Sequence, residues 1–387
     1  MTKKLVIVWL TLIMVLFSSI SIYADEDVQG DFFEKHVIIN GEEIINYNLQ
    51  YPFLLYNDTT YFPLTPEMGE ILGVTAEMDW ESRTLKLLKT DSTRENISSN
   101  WLKNNNVDPA LTVVSGAKVL AFVDKMDAGR SEENNESANT AKNEPKLATK
   151  DDISLSAEGS KTAVATPELS VTEIDLGGLP LLAQGKNLFL PVRAMTSEEN
   201  FNWDIYFDAY YGICISTDPE IPAKTYADQD EILLNKGLVL YMRSINTELT
   251  TPVAQHYLFL FKRAGEVYDI DYRLLMAMSS KESNFRVWAT SRSGALGMMQ
   301  IMPKTGAYYG LSKQDLYNEK INIDFGAMYI SDKIHAYGGD WTKGLSAYNQ
   351  GVSKVNRGTH STVYADKVIG EYYKISEFLE TSGYVAK

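Results

Sequence analysis

The chain has 387 residues, more than a single hydrophobic core ordinarily serves, so two or three domains are expected. Its formal net charge of -15 opposes generic binding to nucleic acid or to an anionic membrane surface, both of which rely on clustered cations, and leaves a neutral or mixed-charge polymer open as a partner. One cysteine, Cys214, excludes an intramolecular disulfide and reads as a small buried hydrophobe. His36, His256, His335 and His360 lie far apart, none with a second ligand at metal-binding spacing, so no metal and no cofactor is expected.

Lys3 and Lys4, an apolar run from Leu5 to Phe17 and a small-residue stretch ending at Ala24 read as a secretory signal peptide over residues 1–24. Export to the extracellular space or cell wall follows, with an uncleaved membrane anchor as the alternative. Short strands come next: Val37-Ile38-Ile39, the hairpin dipeptide Asn40-Gly41, Ile44 to Tyr47, the turn Asn57-Asp58 and Thr60-Tyr61-Phe62. Pro66 to Leu72 reads as a short helix with proline in its first turn, and Thr84 to Leu87 as an alternating strand.

Pro180 to Ile215 repeats this layout at a constant offset of 128 positions: Pro52 falls on Pro180, Pro63 on Pro191, and Leu85 and Leu87 on Ile213 and Ile215. Two copies of one small α+β unit are expected, over 33–90 and 110–217, the second opening with strands at Leu111 to Val114 and Lys118 to Val123. Residues 127–170 lack aromatic side chains and are rich in Ser, Glu, Asn, Ala, Thr and Lys. They read as a disordered insertion in the second copy, a loop that closure entropy tolerates.

Ile39-Asn40-Gly41, Tyr61-Phe62-Pro63-Leu64, Met78-Asp79-Trp80 and Phe189-Leu190-Pro191-Val192-Arg193 give this paired region a resemblance to the copper amine oxidase N-terminal-like domain. The resemblance implies a non-catalytic spacer or wall-facing adaptor, and the scattered histidines give no support for copper.

After Asp218 the pattern turns helical, with a connector over 218–252 that contains an amphipathic segment from Ile232 to Ile245. Beyond it, Leu274, Leu275, Met278 and Glu282 share one helical face, so a carboxylate ends an apolar stripe. Burial there raises a carboxyl pKa toward the range of a general acid; the bland alternative is a surface glutamate at a fraying helix end. Gly294 and Gly297 flank an apolar patch ahead of Met298, Met299 and Gln300, and Pro303 is placed to open a helix. Downstream, Leu345, Tyr348 and Asn349 share a face between Gly344 and Gly351. A carboxyl, two amides and a phenol together suit a carbohydrate carrying acetamido groups.

With Glu282-Ser283, Gly297-Met298-Met299-Gln300, Asn322-Ile323, Gly326, Ala347-Tyr348-Asn349 and Tyr364 in order, residues 253–378 resemble the soluble lytic transglycosylase family. The resemblance implies a multidomain chain in which small α+β repeated N-terminal units precede an all-α lysozyme-like catalytic domain. It further implies cleavage of peptidoglycan glycan strands between N-acetylmuramic acid and N-acetylglucosamine. Glu282 would be the acid, Ser291, Met299, Gln300, Tyr348 and Asn349 would meet the sugar, and Tyr364 would orient Glu282. Met298, Gly306 and Gln350 depart from the usual Leu, Ala and Ala of that family, and none removes a reacting group.

Other readings remain open for the individual residues. Tyr348 and Tyr364 suit a core equally well, Ser291 suits a loop cap, Met298 and Met299 suit groove lining or core, and Trp288 is a candidate for stacking on a sugar ring. For the whole, a goose-type hydrolase would need a second carboxylate such as Asp315 or Asp324. A non-enzymatic glycan-binding wall protein would need none.

Overall fold

A computed structural model describes residues 25–92, 110–124 and 169–385. The signal peptide expected over 1–24 lies outside the described residues, as do 127–168 of the expected insertion. Leu169 and Ser170, at the end of that insertion, belong instead to a strand.

The N-terminal part is β-rich, with fifteen strands among the described residues. They are β1 (Glu26–Gln29), β2 (Asp31–Phe32), β3 (His36–Ile39), β4 (Glu42–Ile44), β5 (Leu54–Tyr56), β6 (Thr59–Pro63), β7 (Val74–Asp79) and β8 (Thr84–Lys89). After them come β9 (Ala110–Val113), β10 (Lys118–Asp124), β11 (Leu169–Glu173), β12 (Leu182–Gln184), β13 (Asn187–Pro191), β14 (Asp204–Asp208) and β15 (Gly212–Ser216). Asn40 and Gly41, and Asn57 and Asp58, have φ values of 52°, 88°, 48° and 56°. Those positive values are what a two-residue hairpin whose twist matches its strands requires.

A seven-stranded sheet runs β1, β9, β12, β13, β6, β5, β2, and two four-stranded sheets run β11, β10, β8, β7 and β14, β15, β3, β4. Strand β13 is antiparallel to β6, with Leu190 opposite Phe62 and Pro191 opposite Tyr61. The two stretches share sheets rather than forming separate ones, since β8 of the first lies parallel to β10 of the second. They differ at α1 (Pro66–Leu72), where Thr65 accepts from the Met68 amide and Gly73 ends the helix at φ 64°. The stretch 128 positions later forms only a 3-10 turn over Val192–Met195, preceded by Pro191 and without a side-chain cap. Cys214 is fully buried on β15.

By contacts the chain forms two compact units, one within 1–33, 37–206 and 214–226, the other within 34–36, 207–213 and 227–387. The second is helical: α2 (Gln229–Ile245), α3 (Thr251–Val267), α4 (Tyr272–Ser283), α5 (Pro303–Tyr308), α6 (Glu319–Ala336), α7 (Trp341–Gln350), α8 (Val352–Asn356) and α9 (Val363–Thr381). Its core draws on every long helix, from Leu238, Val239 and Met242 of α2 through Phe261, Leu274, Leu275, Met278, Ile323 and Ile330 to Ile375 and Leu379 of α9. Helix α2, expected inside a connector, is therefore part of this core. An added Cβ at Gly237 would stand 2.5 Å from Tyr384 and 2.6 Å from Leu379, so the glycine is what lets the C-terminal segment close over α2.

Candidate active site

Helix α4 starts at Asp271, whose carboxylate accepts from the Arg273 amide and is gripped by the Arg273 guanidinium at 2.9 Å and the Tyr372 hydroxyl at 2.7 Å. Leu274, Leu275 and Met278 are fully buried along one face, as their spacing demands. The helix stops at Asn284 and Phe285, both in the left-handed region at φ 53° and 58°. For a residue as bulky as phenylalanine that conformation is a genuine outlier, and full burial of the ring against Phe261, 6.2 Å between centroids, holds it there. The reversal leaves Glu282 in the last turn.

Glu282 is half-buried, and Tyr364 of α9 donates to its Oε1 at 2.6 Å. Burial pushes its carboxyl up to about 7, against the opposing effect of the Tyr364 hydrogen bond. The carboxyl is thus part protonated near neutral pH, as a group that gives a proton and takes one back must be. Burial and the Glu282 charge together raise both Tyr348 and Tyr364 well above the ordinary phenol range, so both stay neutral donors beside the carboxyl.

The loop after α4 is held from beneath by one buried amide. Asn322 of α6, 1% exposed, accepts from the Met299 amide at 2.7 Å and donates to the carbonyls of Leu296 at 3.1 Å and Leu316 at 2.9 Å. Gly297 sits against it at φ 78°, where a Cβ would lie 2.2 Å from the Leu316 carbonyl and 2.4 Å from Asn322 Nδ2. Only glycine fits there. From the α4 side, Ser283 Oγ donates to the Met298 carbonyl at 2.9 Å.

The remaining expected site residues separate by role. Tyr348 is half-buried, its hydroxyl donating to the Met299 carbonyl at 2.8 Å and its ring 5.5 Å from that of Tyr329. Asn349 is exposed at the end of α7. Gln300, at φ 49°, donates from its amide nitrogen to the carbonyls of Gly297 at 2.9 Å and Ala289 at 3.2 Å, bonds that do not engage Oε1. Ser291 caps its own loop, accepting from the Ala295 amide at 2.9 Å and meeting Ser293 Oγ at 3.0 Å.

Met299 departs from its expected place at the sugar. Its side chain is fully buried, packed where α6 offers Gly326, and only its backbone is committed near the site. An unbranched thioether filling a gap in the core accounts for this placement. Trp288 is 72% exposed with its ring 5.4 Å from Tyr317, whose hydroxyl meets Thr290 at 2.7 Å.

Both candidates for a second carboxylate have partners of their own. Asp324 is held in two hydrogen bonds by Arg263, at 2.8 and 3.0 Å, and Asp315 accepts from the Ser312 amide at 2.8 Å in a local turn. Asn322 is a buried polar side chain next to the apolar stripe of Ile323, Ala327 and Ile330 on α6, the signal by which a sequence can mark it.

The helical fold and the setting of Glu282 agree with a family match: residues 259–367 fit the model of the Transglycosylase SLT domain. Among curated proteins, the chain is 34% identical over 120 residues to the membrane-bound lytic murein transglycosylase C of Edwardsiella ictaluri, covering 27% of this chain and 33% of that protein. It is 33% identical over 106 residues to the transglycosylase of Enterobacteria phage PRD1, covering 27% of this chain and 39% of the phage protein. The chain thus spans about a third of the length of the curated relatives it matches. Among solved structures, a lytic transglycosylase from Pseudomonas aeruginosa aligns at 19% identity with a TM-score of 0.30, over 42% of this chain and 32% of that one, too low to bear on the argument.

Proposed function

We propose that the chain is a peptidoglycan lytic transglycosylase. It cleaves the β-1,4 bond between N-acetylmuramic acid and N-acetylglucosamine and leaves a 1,6-anhydromuramyl end. The observation that carries this reading is Glu282, a carboxyl raised to about 7 by burial and held by Tyr364, with Asp315 and Asp324 both engaged elsewhere. Glycosidases that use water ordinarily need two carboxylates. One suffices when the substrate supplies the second nucleophile.

In that reaction Glu282 gives its proton to the glycosidic oxygen as the bond to the muramyl C1 breaks. The muramyl C6 hydroxyl then closes on C1 and returns a proton to the same carboxylate. Tyr364 and Tyr348 hold the carboxyl and the loop carbonyl beside it, while Gln300 Oε1, Ser291 and Asn349 are the polar groups placed to meet acetamido and hydroxyl groups.

The fold supports further parts of the reading. Domain bounds of 33–90, 110–217 and 253–378 go with two copper amine oxidase N-terminal-like copies serving as a wall-facing or protein-binding adaptor, a reading with which a sheet shared by β6 and β13 is compatible. Among the described residues no helix is long and apolar enough to cross a membrane. Export through residues 1–24 places the enzyme at its wall substrate.

Digestion of purified peptidoglycan followed by mass spectrometry of the fragments tests the reaction. We expect 1,6-anhydro ends; reducing ends would establish a hydrolase. Glu282→Gln should lower the rate by roughly 10²- to 10⁴-fold while glycan binding persists. Equal activity in both proteins would remove Glu282 from the chemistry.

A further inference from the structure

The helical unit holds a second buried carboxylate that the proposed reaction does not use. Glu371 of α9 is 2% exposed and lies outside the span that fits the domain family. Its Oε1 accepts from Ser280 Oγ and from the Tyr241 hydroxyl, each at 2.7 Å, and its Oε2 is paired with Lys281 at 2.8 Å and Lys374 at 3.6 Å. Burial opposes its ionisation, but Lys281, Tyr241 and Ser280 more than offset this and hold it below the usual carboxylate range. An ionised carboxylate is costly to bury unless its oxygens are committed, and here two of its four partners, Ser280 and Lys281, sit in one turn of α4.

That turn carries Glu282. Ser280 and Lys281 immediately precede it on α4, and Tyr364, which grips Glu282, stands seven positions before Glu371 on α9. Seven residues are close to two helical turns, so Tyr364 and Glu371 project from one face of α9 onto the same end of α4. Ser280 lies about 200° around α4 from Glu282. The Glu371 bonds therefore hold the turn at Ser280 and Lys281 while Tyr364 holds it at Glu282, and Tyr241 ties the same carboxylate to α2.

We propose that Glu371 is a positioning residue for Glu282, locking the last turn of α4 between α9 and α2 so that the acid stays seated against Tyr364. This rests on the reading of Glu282 as the acid. Glu371 touches no substrate; it acts through the rotation of the turn. An apolar isostere would fill the space, but only a charged group with two oxygens engages Ser280, Tyr241 and Lys281 together. The titratable groups bearing on Glu282 itself are Tyr364 of α9 and Tyr348 of α7.

The test uses the full chain with Glu371→Gln, which keeps shape but presents an amide donor toward Lys281, and with Tyr241→Phe and Ser280→Ala, which each remove one hydroxyl. Two readings are taken: kcat and KM on purified peptidoglycan, and the pH titration of the Glu282 carboxyl by carbon-13 NMR with labelled glutamate, assigned by Glu282→Gln. In folded Glu371→Gln we expect kcat to fall at least about tenfold with KM within about twofold, since small misplacements of a catalytic group cost this much or more. The proton affinity of Glu282 should fall by about tenfold as its seat opens to water. Tyr241→Phe and Ser280→Ala should show smaller losses in the same direction.

Wild-type kcat, or an unchanged Glu282 titration, in the folded variant overturns the proposal. If circular dichroism shows Glu371→Gln unfolded, the two hydroxyl variants decide by the same readings. If the wild type releases no 1,6-anhydro product, the functional reading fails while the titration still decides whether Glu371 seats Glu282.

Discussion

Glu282 is shaped by two opposed influences, burial that favours the neutral acid and the Tyr364 hydroxyl that favours the carboxylate. Burial wins, and this has consequences for pH. Since the acid must be protonated to act, kcat/KM should fall as pH rises through about 7, a profile that steady-state turbidity assays from pH 5 to 9 would record. Stability moves in the same sense. The folded chain holds its proton to about 7 against an ordinary value of 4.5, so it binds more protons than the unfolded chain across that window and loses stability as pH rises through it. Glu282→Gln, which keeps an acceptor for Tyr364, should therefore be more stable than wild type at pH 8 by about 1 to 3 kcal/mol and little different at pH 4. Calorimetry at the two pH values checks the sign; a less stable variant at pH 8 would refute the account of burial.

At the level of elements, the cleft depends on how a helix end, a glycine-bearing loop and α6 are joined. Asn322 is the joint, and its three bonds satisfy an amide and two carbonyls that water does not reach. Asn322→Ala removes the side-chain partner of the Met299 amide and of the Leu316 carbonyl, while the Leu296 carbonyl keeps the Ile301 amide at 2.9 Å, and each group left unpaired costs roughly 1 to 3 kcal/mol. We expect a chemical-denaturation loss on the order of 3 kcal/mol or more, with activity falling even where the chain remains folded, because the Met299 carbonyl that receives Tyr348 is carried on the same loop. A loss under about 0.5 kcal/mol would show that the loop holds itself.

For the whole molecule, the helical unit is larger than the segment that fits the domain family. The match opens at residue 259, yet Leu238, Val239 and Met242 of α2 are fully buried in the same core as Ile375 and Leu379 of α9. Leu238→Ala should cost roughly 2 to 5 kcal/mol by thermal or denaturant unfolding, as for other large-to-small changes in a packed core. Activity per folded molecule should not change. A cost near zero would return α2 to the status of a connector.

Local sequence determined much of this. The turn dipeptides at Asn40 and Asn57, the short helix opening at Pro66 and the helical stripe ending in Glu282 are properties of neighbouring residues, and period and turn chemistry report them directly. Tertiary structure alone decided the rest, because it depends on which distant groups meet. Glu371 interrupts the apolar stripe of Val368, Ile375 and Leu379 on α9, a visible anomaly, but its three-helix set of partners is not written in any one segment. Only the fold brings Arg263, 61 residues away in sequence, onto Asp324. Met299 stood in a motif and turned out to be core, and Gln300 beside it donates from its amide to the Gly297 carbonyl, since φ/ψ and packing, rather than residue type, set which way a loop side chain points.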